Sequence, residues 1–160
     1  MPLMNVDDSQ RSIQSPQTKN LGIYDSRIRV LIVDDHALMR QMLSDVLALD
    51  DDIEVVARAA DGPQALRIVE EVQPDVIVLD FAMPGINGID VIQTLRKQWS
   101  RPVLMVSVHV QPSLVQWARR AGAQGYLPKL AVARALAPAI RAVCEGRPYF
   151  GENNQWSAQA

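Results

Sequence analysis

Five short apolar segments, at 29–33, 53–58, 75–79, 102–107 and 125–127, constrain this chain more than any other feature, because four of them are near-continuous aliphatic runs. A strand with one wet face alternates apolar and polar residues, whereas an unbroken aliphatic strand is buried on both faces. Amphipathic patterns at helical spacing fill the gaps, at 36–48, 62–72, 88–98, 112–121 and 131–145. The first carries Leu38, Met42, Leu43, Val46 and Leu47, and the last carries Leu136, Ala139, Ile140 and Val143. Five strand–helix units in a row predict an α/β domain. Its sheet would be parallel and doubly wound, with helices on both faces, by the right-handed crossover rule.

Two of the strands end on acids. Arg29-Val-Leu-Ile-Val33 runs into Asp34 and Asp35, and the run 76–79 ends on Asp80, followed by a loop with Pro84, Gly85 and Gly88. Parallel strands deliver their C-terminal ends to one edge, the usual ligand position of such sheets, so three carboxylates are expected in one pocket. A cluster of that kind is costly unless a metal or a cation neutralises it.

The rest of the chain narrows the function classes. A net charge of −2, with no Lys/Arg run, gives no nucleic-acid footprint for the chain itself. The single cysteine, Cys144, excludes an internal disulfide and a cysteine metal cluster; its helical context reads as a packed small hydrophobe. No apolar run is long enough for a membrane span, and the N-terminus lacks a basic and then apolar signal pattern, so a cytoplasmic protein is expected. Residues 1–27, rich in Ser, Gln, Asn and Asp, read as a flexible leader, 28–146 as the folded domain, and 147–160 as a linker-like tail.

Asp34-Asp35, then Asp80 with Met83-Pro84-Gly85 and Gly88, then Ser107, then Ala121-Gly-Ala-Gln-Gly-Tyr-Leu-Pro-Lys129 together resemble a bacterial response-regulator receiver domain. The resemblance covers 28–146, and Asp34-Asp35-His36 through Arg40 with Ser107-Val108-His109 is most similar to the NarL/LuxR-type branch. It implies a flavodoxin-like sheet in the order 2-1-3-4-5. It also implies that Asp80 accepts a phosphoryl group from a sensor histidine kinase. Mg²⁺ would be held by Asp35, Asp80 and the Ala82 backbone carbonyl, with Asp34 acting through a water. Lys129 would pair with Asp80 and then with the phosphoryl group, Ser107 would hydrogen-bond that group, and Tyr126 would be the switch aromatic. The implied output face is helix 4, strand 5 and helix 5, with possible homodimerisation on phosphorylation. Receivers of this branch are usually followed by a helix-turn-helix domain. The end at Ala160 leaves no room for one, so the reading is either a receiver taken from a longer transcription regulator or a stand-alone receiver working by protein contacts.

Each residue also has a plainer role. Asp34 or Asp35 could cap the first helix, Ser107 the fourth, and Asp80 the turn before Pro84. Lys129 could be a solvated charge, Tyr126 a half-exposed strand residue, and Trp117 a core anchor. The family pattern is also departed from. Val108 stands where a small residue is common, Ala82 where a polar residue is common, and Phe81 is bulkier than usual. These departures imply narrower access to Asp80 without removing a reacting group, and Pro128 is tolerable at a strand end. Two other classes fit less well. A haloacid-dehalogenase-type hydrolase needs a second acid two residues after its nucleophile, where this chain has Ala82. A nucleotide or flavin site needs a Gly-rich loop after the first strand, where Asp34 and Asp35 would repel an anion.

Overall fold

The computed structural model describes residues 25–151, so most of the expected leader and the end of the expected tail lie outside the described residues. Five strands alternate with five helices: β1 (Ile28–Val33), α1 (Ala37–Leu47), β2 (Ile53–Ala59), α2 (Gly62–Val72), β3 (Val76–Asp80), α3 (Gly88–Leu95), β4 (Val103–Ser107), α4 (Pro112–Ala121), β5 (Gly125–Pro128) and α5 (Val132–Cys144). All pairings are parallel, in the order β2-β1-β3-β4-β5. The doubly wound sheet inferred from the aliphatic runs is therefore the fold. β3 and β4 are buried along their whole length, as unbroken runs require.

The sheet divides the interior into two cores. On one face α1 and α5 cover Val30, Ile32, Val78, Leu104 and Val106; on the other α2, α3 and α4 cover Leu31, Val33, Ile77, Leu79 and Met105. Odd and even positions of β1 thus point to opposite cores, the period-2 geometry of a strand. Asp61 starts α2 by accepting the Gln64 amide at 2.7 Å, and Asn87 starts α3 by accepting the Asp90 amide at 3.0 Å. Gly122, at φ 110°, ends α4 in the left-handed region that favours glycine.

Several details differ from the sequence expectation. Leu38 is 83% exposed and Met42 38% exposed, although both were placed with the apolar residues of α1. At 100° per residue the buried stripe is Met39, Leu43, Val46 and Leu47, and the other two fall outside it. Trp117 is 49% exposed and not a core anchor, because α4 turns Ala118 to the sheet, with Val115 partly buried beside it. Helix α3 ends at Leu95, and a 3₁₀ turn over Lys129–Ala131 precedes α5. Beyond α5 the chain returns to the sheet edge. Tyr149 pairs with Gly125, its amide donating to the Gln124 carbonyl (3.0 Å) and its carbonyl accepting the Tyr126 amide (2.8 Å).

Candidate functional site

Asp34, Asp35 and Asp80 meet at the C-terminal edge of the sheet because β1 and β3 are neighbours, in register through Val33 and Leu79. Ligand atoms of Asp34, Asp35, His36 and Asp80 all lie within 4.8 Å of one another. Gly88 closes the loop behind Asp80: a Cβ there would come 2.7 Å from the Asp80 carbonyl oxygen and from the Met105 methyl group, so only glycine fits without displacement.

Lys129 reaches this cluster from beyond β5, with Nζ 2.8 Å from Asp34 Oδ2 and 3.2 Å from Asp80 Oδ1. It is not a solvated charge; its side chain is only 10% exposed. Burial works against its ammonium, yet the hydrogen bond to Asp34 and the charges of Asp80 and Asp34 outweigh that, and its pKa moves up. Burial pushes the Asp80 carboxyl above the ordinary carboxylate range, and the charge of Asp34 adds to the shift. Lys129 and the Ala82 amide, which donates to Asp80 Oδ1 at 3.3 Å, offset part of it.

Asp34 is fully buried and does not cap α1. Its Oδ1 accepts the His36 amide at 2.8 Å, its backbone carbonyl accepts Arg40 Nη1 at 2.7 Å, and α1 has no side-chain cap. Asp35 differs. Its Oδ1 is buried and has no hydrogen-bond partner among the described residues, with His36 Nδ1 3.1 Å away but not aligned as a donor. A buried, orphaned carboxylate oxygen beside two further acids is an arrangement that a hard divalent cation would complete. The donor set, three carboxylates with exposed Ala82 two residues beyond Asp80, fits such an ion.

On the next strand Ser107 is fully buried, and its Oγ accepts the His109 amide at 3.0 Å, so it holds its own loop and not the N-terminus of α4. Tyr126 is 2% exposed and donates from its hydroxyl to the His109 carbonyl at 2.6 Å, which excludes a half-exposed strand role. Burial pushes that hydroxyl's pKa up, an effect partly countered by its contact with Ser107. Phe81 joins the two sides. Its ring is edge-on to Trp117 (centroids 6.3 Å apart) and to Tyr126 (6.4 Å), linking the residue after Asp80 to the exposed face of α4. Val108, expected to narrow access to Asp80, is 67% exposed. His36 was missed as part of the cluster; its place next to two strand-end acids was the available signal. Cys144 packs partly buried against the α1/α5 core, and burial pushes its thiol up to about 11, which disfavours the thiolate.

The response regulator receiver domain family model matches residues 30–141. The chain is 37% identical over 132 residues to the transcriptional regulatory protein DegU of Brevibacillus brevis, covering 82% of this chain and 56% of that protein. It is 39% identical over 130 residues to the nitrate/nitrite response regulator protein NarP of Escherichia coli, covering 80% of this chain and 60% of that one. The chain thus spans little more than half the length of these curated relatives. Among solved structures, a LuxR-family two-component response regulator from Aurantimonas superposes with a TM-score of 0.74 at 32% identity, over 78% of this chain and 89% of that one. Fold, motif order and relatives agree: the chain belongs to the response regulator receiver domain family of two-component systems and is most like its NarL/LuxR-type branch.

Proposed function

We propose that this chain is a phosphorylation-controlled switch whose phosphoacceptor is Asp80. The observation that carries the reading is the placement of Lys129 between Asp34 and Asp80 at the strand ends, with Asp35 beside them. An Asp80 carboxylate oxygen attacks the phosphorus of a phosphohistidine on a sensor kinase. The P–N bond breaks as the P–O bond forms, and the imidazole leaves with its electron pair. Such transfer needs positioning and charge neutralisation more than covalent help. Asp35, Asp80 and the Ala82 carbonyl would hold Mg²⁺, with Asp34 acting through a water; the ion supplies neutralisation of phosphoryl charge. Lys129 then turns from Asp34 toward the phosphoryl oxygens as a point charge. Ser107 Oγ donates to another of those oxygens and gives up the His109 amide.

Movement of Ser107 and the His109 loop is sensed by Tyr126, whose hydroxyl sits on the His109 carbonyl, and shifts the population of the α4–β5–α5 face. The chain works as a cytoplasmic switch with at most slow loss of its own phosphate, not as an enzyme. Its output is transcription control through a DNA-binding domain elsewhere in the full protein. The alternative, a stand-alone receiver, is favoured by the exposed Trp117 on α4, which offers a protein contact.

Intact mass after incubation with acetyl phosphate tests the switch. The expected result is a gain of one phosphoryl mass that needs Mg²⁺ and is absent in Asp80→Asn. No gain in the parent chain, with Mg²⁺ still bound, would overturn the reading. Phosphorylation is also expected to drive dimerisation; light scattering that shows a monomer in both states would remove that part alone.

A further inference from the structure

Asp35 Oδ1 and His36 Nδ1 are 3.1 Å apart, yet the oxygen has no hydrogen-bond partner among the described residues. Two adjacent ligands on an octahedral ion with bonds of about 2.1 Å stand about 3 Å from each other. The pair therefore has the spacing of two ligands on one ion. His36 Nδ1 lies also 3.4 Å from Asp34 Oδ1, and a ligand atom of Asp80 belongs to the same group within 4.8 Å. The His36 backbone is fixed independently, by its amide on Asp34 Oδ1 and by its carbonyl accepting the Arg40 amide at 3.0 Å. Its side chain is 71% exposed, so the imidazole stands at the mouth of the pocket and not in the core. Among the described residues no aromatic ring packs on the imidazole, and its ionic partners are Asp34 and Asp35.

We propose that His36 is a metal ligand of this site and sets its ion preference toward a borderline first-row cation, Mn²⁺ or Co²⁺, over Mg²⁺. An all-oxygen set suits Mg²⁺, whereas one imidazole nitrogen raises affinity along the Irving–Williams order and does little for a hard ion. With Asp35, Asp80 and the Ala82 carbonyl as the oxygen ligands, His36 fills a fourth position and leaves two for water or phosphoryl oxygen. The proposal rests on the metal-binding part of the function proposed above. It adds that the chain's phosphoryl chemistry is tuned by which divalent ion is available.

The test is titration calorimetry of the metal-free chain with Mg²⁺, Mn²⁺ and Co²⁺ separately, on the parent, His36→Ala and Asp35→Asn. Pulsed electron paramagnetic resonance of the Mn²⁺-loaded parent then reads nitrogen coupling directly. The expected result is tighter Mn²⁺ and Co²⁺ than Mg²⁺ in the parent, with a nitrogen coupling that His36→Ala abolishes. His36→Ala should lower Mn²⁺ and Co²⁺ affinity by about tenfold or more, at least what loss of an outer-shell partner costs, and Mg²⁺ affinity by less. Unchanged affinity ratios in His36→Ala, or no nitrogen coupling in the parent, would overturn the role of His36 while leaving the acidic site standing. If no divalent ion binds the parent, or if Asp35→Asn binds as well as the parent, the metal site itself is wrong and the proposal falls with it. Circular dichroism of each variant separates lost binding from lost fold.

Discussion

Asp80 carries two burdens at once: it is buried, and Asp34, whose charge acts on it, is buried with it. Its carboxyl titrates higher in the folded chain than the ordinary value of 3.8, so between those two values the folded state binds the extra proton. Below 3.8 both states are protonated and no penalty exists; stability is lost as the pH rises through the folded value. In metal-free buffer Asp80→Asn is therefore expected to be more stable than the parent at pH 7. The gap should narrow as the pH is lowered to about 4. Urea midpoints at the two pH values measure this, and a parent more stable than Asp80→Asn at pH 7 would contradict it. The charges of the pocket show why Lys129 is held where it is: with three acids, Asp34, Asp35 and Asp80, and one cation, the pocket keeps an excess of two negative charges that a divalent ion would balance.

Among the elements, α5 breaks a local rule. Pro138 lies inside it, where proline removes one helix hydrogen bond and crowds the preceding turn, yet it is exposed and belongs to neither core. Pro138→Ala is expected to stabilise the chain by about 1–3 kcal/mol, read from denaturant unfolding; an equal or lower midpoint would mean that the helix has already adapted around the ring. The elements also show what the sequence could convey. Strand positions could be read almost to the residue, because burial on both faces leaves unbroken aliphatic runs that nothing else in the chain imitates. The helices were found, and so was the α5 face, since Leu136, Ala139, Ile140 and Val143 are all buried, but the faces of α1 and α4 were read only in part. Leu38 and Met42 in α1, and Trp117 in α4, are apolar residues on wet sides, and hydrophobicity alone cannot say which side of a helix meets the sheet. The three acids could be placed in one pocket from strand order, because parallel strands end together; Lys129 joined them only through the family resemblance. The Phe81–Trp117–Tyr126 contacts and the orphaned Asp35 oxygen could not, since they depend on side-chain directions that no spacing records.

For the whole molecule, a ligand that binds only the folded state adds stability in proportion to its occupancy. Mg²⁺ at a hundred times its Kd should stabilise the chain by about 2.7 kcal/mol, an effect that Asp35→Asn is expected to remove. Thermal unfolding with and without the ion checks this, and an unshifted melting temperature in the parent would exclude a site formed only on folding. Such a site is also assembled across the chain: Lys129 and Asp34 are 95 residues apart, and they meet only when β5 is paired to β4, β4 to β3 and β3 to β1. A nascent or partly unfolded chain has the acids but not the cation between them. If Asp80 takes the phosphoryl group as proposed, acceptance waits on completion of the sheet, and a damaged copy falls silent instead of sending a false message.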